Sequence, residues 1–356
     1  MQILDDWFDL DDKVDGIPRF LVGERINEAF GWIKEHWGQF LRSVGNAITD
    51  SVDWIISVLN GPAPIFVAVL FALLAWLAKD WKLATGTLLG MVFIISMQQW
   101  HYAMETLALV AFATVVALLI SIPLGILAAR WDWFSRLVRP VMDLMQTMPA
   151  FVWLVPVVSL FGLNVAAGVA ATVIFALPPG VRLTELGIRQ VDPEVIEAGH
   201  AFGAKPGQIL RETQLPLAMP TVMAGINQVI MLALSMAVIA GLVGAEGLGG
   251  QVTKSISRLN IGLGFEAGLS VVVLAIFLDR VTAAVGQRNP GQGRFSALGG
   301  WLFGRRRAEA DDPDSAATHD PTDELTPAGV GGGTRKKDTT ADPSRETMSG
   351  TDPTEQ

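Results

Sequence analysis

Cysteine is absent from this 356-residue chain. That excludes disulfides, thiolate metal sites and cysteine nucleophiles. Histidine is scarce, four in all, and none stands in the H-E-x-x-H spacing of a zinc-binding helix. Charge is scarce as well: 17% of residues are Asp, Glu, Lys or Arg, against about 25% in soluble domains. No Gly-Lys pair occurs anywhere, so the chain lacks the G-x-x-x-x-G-K-[ST] loop that cradles nucleotide phosphates. The net charge of −9 argues against nucleic acid as a partner. The opening MQILDDWFDL has no basic region ahead of an apolar run, so no cleaved signal peptide is expected.

What takes the place of charge is apolar length. Hydrophobic residues make up 51% of the chain, and the mean hydropathy is +0.41. A bilayer-spanning helix needs about 20 mostly apolar residues. Residues 62–78, 83–98, 107–129, 220–244 and 267–285 each read as one span, and 83–98 is the shortest. Residues 144–181 carry no charge and are long enough for two, with a turn at Gly162, Leu163 and Asn164. The expectation is an all-α integral membrane protein of about seven transmembrane helices, multi-pass in the cell (cytoplasmic) membrane.

Basic residues in short loops set orientation. Lys79 and Lys82, then Arg130, Arg136 and Arg139, then Arg182, Arg189, Lys205 and Arg211 fall on one side if the spans alternate. That side is cytoplasmic. The N-terminus is then outside and the C-terminus inside. Lys254 and Arg258, in an external loop, run mildly against this pattern.

Four regions follow. Residues 1–60 hold eleven acidic residues against five basic ones. Phe30, Ile33, Trp37, Phe40, Leu41, Val44, Ile48, Val52, Ile55, Ile56 and Leu59 recur there at helical steps. One or two amphipathic helices are expected in this extracytoplasmic segment. They lie on the outer bilayer surface, where Trp32, Trp37 and Trp54 suit the headgroups, or they pack on the protein's own spans. Residues 61–100 are two accessory transmembrane helices, and 101–287 the core. Residues 288–356 are expected to be a disordered cytoplasmic tail. From about Arg305 this tail is rich in Asp, Thr, Pro, Gly, Ser and Glu with almost no aromatics.

The spans offer little chemistry. Residues 107–129, 144–181 and 220–244 contain no carboxylate of the kind an ion-coupled carrier keeps near the bilayer centre. Gly244, Gly247, Gly249 and Gly250 look like a dinucleotide loop, but they follow a membrane helix and not a strand. Ala233, Ala237 and Gly241, with Ala240 and Gly244 beside them, form a small-residue face. Such a face suits a contact with a second copy, or packing within one subunit. Pro149 and Pro156 should break or kink the fourth span. Gln146, Thr147 and Asn227 are the polar side chains placed near a pathway, and each also suits a helix–helix hydrogen bond.

The informative stretch is VDPEVIEAGHAFGAKPGQILRETQLPLAMP, from Val191. Asp192 suits an N-cap, Pro193 a first turn and Glu194 the positive end of a helix dipole. Gly203 ends this short helix with a positive φ. Pro206 opens a second one, over 207–214, which Leu215 and Pro216 end. An ordinary amphipathic loop would also fit these signals.

Glu197, Ala198, Gly199, Gly203, Leu215 and Pro216 resemble the E-A-A-x3-G-x9-I-x-L-P motif of ABC importer permeases, with Gly199 in an Ala position and Thr213 in the Ile position. MQTMPAFVWLVPVVSLFG (145–162) and QLPLAMPTVMAGINQVIMLALSMAVIAGLVGAEGLG (214–249) resemble the glycine betaine/proline-type permeases in particular. The resemblance runs from about Trp54 to Gln287. It implies a type I ABC importer permease core whose cytoplasmic loop docks on a separate ABC ATPase subunit, with an external substrate-binding protein and a second copy of the permease as further partners. The implied cargo is glycine betaine, proline or a related zwitterionic osmolyte. ATP hydrolysis falls to the partner, and neither cofactor nor metal is called for. The alternatives are a permease of the same architecture for another small solute and a stand-alone secondary carrier.

Overall fold

The structure is a computed structural model and describes residues 8–14, 17–20 and 22–286. The chain divides into two units, Met1–Trp301 and Leu302–Gln356, and every described residue falls in the first. The tail expected to be disordered lies outside the described residues.

The described chain is helical apart from one hairpin. Strands β1 (Phe8–Val14) and β2 (Ile17–Phe20) pair antiparallel, with Phe8 opposite Phe20 and Val14 opposite Ile17. The hairpin lies ahead of the periodic residues, Phe30 to Leu59, on which helix was expected. Asp15-Gly16 between the two runs is the strongest short-range hairpin signal a sequence carries.

Helix α1 (Val22–Asn60) is a single rod of 39 residues, not two helices. Its second half packs on the core: Val52 is fully buried, and Ile48, Ile55, Ile56 and Leu59 lie against the main cluster. A Cβ on Gly45 would sit 3.3 Å from the Phe161 ring. Its first half leaves Trp32, Trp37 and Phe40 exposed. The packing of this helix on the protein's own spans therefore holds for its second half.

Helices α2 (Pro64–Ala78) and α3 (Trp81–Ser96) follow; α1 and α2 are bent by 98° at their junction. Then come α4 (Trp100–Arg130), α5 (Asp132–Thr147) and α6 (Ala150–Phe161). Pro149 stands at the break between α5 and α6, which are bent by 102°. The Trp153 indole N–H donates to the Met145 carbonyl across that break at 3.2 Å. Helix α6 has 12 residues, about 18 Å of rise, and cannot cross a hydrocarbon core of about 30 Å alone. Gly162 closes it with φ +84°, and Asn164 caps α7 (Val165–Arg189) by accepting from the Ala167 N–H at 3.0 Å.

All seven apolar segments appear as helices, but seven full spans is too many by length. Among the described residues, four helices are long and apolar enough to cross a membrane alone, or up to six if each bent pair counts as one. Helix α3, with 16 residues, remains short.

The centre of the fold is α4, α7 and α9 (Pro206–Val243). Without a hydrophobic drive between helices in lipid, close approach depends on small residues. A Cβ on Gly180 of α7 would lie 2.4 Å from Ser121 Oγ on α4 and 3.1 Å from Val229 on α9. One on Gly125 of α4 would lie 2.5 Å from Thr184 Cβ, and one on Gly225 of α9 2.9 Å from Leu183 Cβ. The Ala233, Ala237, Ala240 and Gly241 face also turns inward: the three alanines are buried, and a Cβ on Gly241 would strike the Gly249 backbone at 2.2 Å. That face packs within the subunit and is not available to a second copy. Helices α10 (Leu248–Ser257) and α11 (Ile261–Gly286) complete the described chain.

Candidate functional site

The segment after α7 folds largely as its local chemistry demands. The Asp192 carboxylate accepts the Glu194 N–H at 2.9 Å and opens α8 (Pro193–Ala201). At the other end, the Gly203 N–H donates to the His200 carbonyl at 2.9 Å and the Ala204 N–H to the Gly199 carbonyl at 3.1 Å. These two bonds form a Schellman closure. It requires a left-handed residue, and Gly203 has φ +78°. No atom lies within 4 Å of a Cβ built there, so the glycine serves the backbone alone.

The expected second short helix does not stop. Pro206 opens α9, residues 209–214 form a π turn, and the helix continues through Leu215 and Pro216 as one rod of 38 residues. The Leu215 N–H donates to the Leu210 carbonyl, five residues back. Pro216 has no N–H, and its ring crowds the carbonyl four residues earlier. A wider turn placed just before it relieves that conflict without ending the helix.

Helices α8 and α9 lock through Gly199. A Cβ there would meet Ile209 Cγ1 at 3.2 Å, and Ile209 is 3% exposed. Glycine in the motif's alanine position lets the two helices close on that isoleucine. Leu210 reaches the cluster of Ile188, Ala218 and Val222, which also holds Ile126 and Ala129 of α4. The segment is therefore rooted in α4, α7 and α9 together. Its outer face has no cover: no residue of α8 is buried, the side chains of Glu197 and Ala198 are exposed, and Phe202 is 92% exposed. Leu215 is half-buried and Pro216 exposed. The sequence reading passed over Phe202 and Ile209. An apolar side chain at a helix C-cap in a polar loop was the available signal for the first.

A charge cluster braces the same end. Buried Glu185 of α7 accepts from Ser135 Oγ at 2.7 Å and from Arg139 Nη2 at 3.0 Å, and pairs with Arg189 Nε at 3.0 Å. Arg189 also donates to the Ala128 carbonyl at 2.8 Å and to Asp132 at 2.7 Å. Arg189, through its hydrogen bond first and its charge second, holds the Asp132 carboxyl below the usual carboxylate range. Arg182 pairs with Asp143. A cavity of about 330 Å³ opens among Arg139, Asp143, Arg182, Glu185, Leu186 and Arg189. Arg182 and Arg189, read as loop residues from sequence, thus belong to the last turns of α7.

The three polar residues placed near a pathway are not joined by any hydrogen bond. Gln146 and Thr147 are exposed at the end of α5, where Thr147 Oγ1 donates to the Leu144 carbonyl. Asn227 is half-buried, and its Nδ2 donates to Asp279 of α11 at 3.0 Å.

A bundle of apolar helices with a short, exposed helix, α8, at one end fits a multi-pass membrane protein. Residues 121–289 match the family described as binding-protein-dependent transport system inner membrane component. The chain is 41% identical over 280 residues to the glycine betaine transport system permease protein OpuAB of Bacillus subtilis, covering 79% of this chain and 99% of that protein. It is 45% identical over 273 residues to the glycine betaine/proline betaine transport system permease protein ProW of Escherichia coli, with 75% and 76% covered. The glycine betaine/carnitine transport permease protein GbuB of Listeria monocytogenes is 41% identical over 277 residues, with 76% and 98% covered. The chain belongs to the binding-protein-dependent transport permease family and is a transport subunit of a multi-pass membrane type.

Proposed function

We propose that this chain is the membrane permease of an ATP-driven importer for glycine betaine, proline or a related zwitterionic osmolyte. The observation that carries the reading is the bare outer face of α8, tipped by Phe202 and anchored through Gly199, Ile209 and Leu210 into three core helices. An exposed face on a rigid root suits docking by a separate ATPase. Closure of an ATPase dimer would push α8 and, through the Gly199–Ile209 contact, move α9 against α7. An external binding protein supplies affinity, so the permease needs only weak contact with its cargo. Helix α9 has no charged residue beyond Glu212, in keeping with a solute of no net charge. Two copies form the pathway. Gln146, Thr147 and Asn227 are proposed to line it. The 192–216 segment faces the cytoplasm, the N-terminus is outside and the C-terminal tail inside; Arg130, Arg136, Arg139, Arg182, Arg189, Lys205 and Arg211 gather at that end, as the basic-loop rule requires.

The test is uptake into vesicles carrying this chain with its candidate ATPase and binding protein. Glycine betaine, proline, choline and ectoine are compared. Uptake of a zwitterion that needs ATP and all three proteins is expected. Uptake by the permease alone, driven by an ion gradient, would establish the secondary carrier instead; a requirement for all three proteins with none of these solutes moved would establish another cargo.

A further inference from the structure

Two apolar faces at one end of the molecule lack cover within the subunit. The first is on α1. Ile26, Phe30, Ile33, Trp37, Phe40 and Val44 follow one another at helical steps of three and four, and the same stripe runs on into Ile48, Val52, Ile55 and Leu59. The later part of the stripe packs on the main cluster. The earlier part is bare: none of residues 23–44 is buried, and Trp37 and Phe40 are 53% and 59% exposed. From Val22 to Val44 this bare part is about 34 Å long.

The second face is a groove of about 690 Å³ between α10 and α11. Ile256, Leu259, Ile261, Phe265, Leu269 and Val272 line it, and all six are exposed. Leu259 stands at φ +50°, a left-handed conformation that costs a leucine energy, and its side chain is 88% exposed. A Cβ on Gly268 would meet no atom within 4 Å, so another helix can come close to the α11 backbone there. The two faces share an end of the molecule. Gly45 of α1 meets Phe161, and Gly244, ahead of α10, meets Leu163; both contacts lie where α7 begins, and the coupling segment lies where α7 ends. Helix α1 packs on α4, α6 and α7, and the groove stays open.

Charge favours a protein over a lipid surface as the cover. Helices that lie on membranes are rich in Lys and Arg on their polar face. The bare part of α1 sets Glu24, Glu28 and Glu35 against Arg25, Lys34 and Arg42, and residues 1–20 ahead of it hold six acids and two bases. The groove has the opposite sign: residues 248–272 hold Lys254 and Arg258 against Glu266. We propose that, in a pair of copies of this chain, the bare half of α1 of one copy lies along the α10–α11 groove of the other. The arrangement is reciprocal, as a two-fold pair requires: each copy gives a rod and receives one. The stripe then meets apolar side chains along its whole length, its own core in the second half and the partner's groove in the first. This clasp rests on the two copies of the importer reading.

The test is cross-linking between copies, and the chain has no cysteine of its own to interfere. Two full-length copies with different tags are co-expressed and held in lipid vesicles. One carries a cysteine at Ile33, Trp37 or Phe40 on the stripe, or at Glu28, Glu35 or Gln39 on the opposite face. The other carries Leu259→Cys or Phe265→Cys. None of these side chains is buried, so the fold should bear each change. A short bis-maleimide should join the two tags from stripe positions, and the joined band should be lost from the opposite face. Tags that co-purify but join from no stripe position overturn the clasp, and quenching of a dye at residue 37 by headgroup-labelled lipid then assigns the rod to the bilayer surface. Joining equally from both faces overturns it too. So does joining only within one chain that carries both cysteines, which means that the rod folds onto its own groove. Tags that fail to co-purify overturn the two-copy arrangement and the clasp with it, a result distinct from pairing without joining.

Discussion

Gly203 offers the sharpest test of the coupling segment, because its substitution changes backbone energy and almost nothing else. Its φ is +78°, and a Cβ there meets no atom within 4 Å. A left-handed conformation costs an L-residue roughly 1–2 kcal/mol, with asparagine penalised least among side-chain-bearing residues. The Schellman bonds from Gly203 and Ala204 hold only if that conformation is kept. Where the strain is charged wholly against the docking-competent form, about 1.4 kcal/mol lowers apparent affinity for the ATPase tenfold. Gly203→Val should therefore bind at least about tenfold more weakly, Gly203→Ala somewhat less so, and Gly203→Asn only a few-fold more weakly. The assay is titration of purified permease with its ATPase, with membrane abundance as control. All three should insert normally, since insertion follows hydropathy. The reasoning fails if Gly203→Val binds like the parent. It fails equally if Gly203→Asn is as weak as Gly203→Val, for then the side chain and not the backbone would be at fault.

Phe202→Ala should leave abundance and melting unchanged, because the ring is 92% exposed, yet weaken ATPase co-purification by about tenfold or more as an aromatic anchor would; undiminished recovery removes Phe202 from the interface. Gly180→Ala places a methyl 2.4 Å from Ser121 Oγ and should lower stability by about 1–3 kcal/mol, read as a reduced thermal midpoint in detergent. Gly207→Ala, with open space around it, is the control, and equal midpoints for the two variants would contradict the packing described for α4 and α7. A cysteine introduced at Asp12 should react with an impermeant reagent in intact spheroplasts, and one at Ser315 should not; the reverse pattern inverts the proposed orientation.

Local chemistry made α8 legible in the sequence: Asp192, Pro193 and Gly203 each act within a few residues of themselves, and the bonds they form are those their types suggest. The turn at Gly162 and Asn164 was readable for the same reason. What could not be read was settled at long range. Pro216 signals a stop, but burial of Ile209 and Leu210 against α7 and α8 keeps the helix whole, and the π turn absorbs the misfit. The alanine face on α9 is equally consistent with two partners until Gly249 is seen to fill its groove. Asp279 stands 52 residues from the Asn227 it binds. The His101–Glu105 pair was within reach, since the two lie one helical turn apart.

The continuity of α9 has a mechanical consequence. From Pro206 to Val243 it is one helix, about 57 Å long at 1.5 Å per residue. Its tightest crossing with α7, at Gly225 against Leu183 and Val229 against Gly180, lies near the midpoint. Close approaches also hold it toward both ends, at Ala218 against Gly187 and Ala240 against Gly168, so it can move only as one body with about 28 Å on either side of that crossing. A shift imposed beside Pro206 would therefore be carried along the whole rod toward Val243. The weak place in such a rod is the π turn at 209–214. A push applied beside Pro206 would cross that turn first, and any slack between push and response would be taken up there.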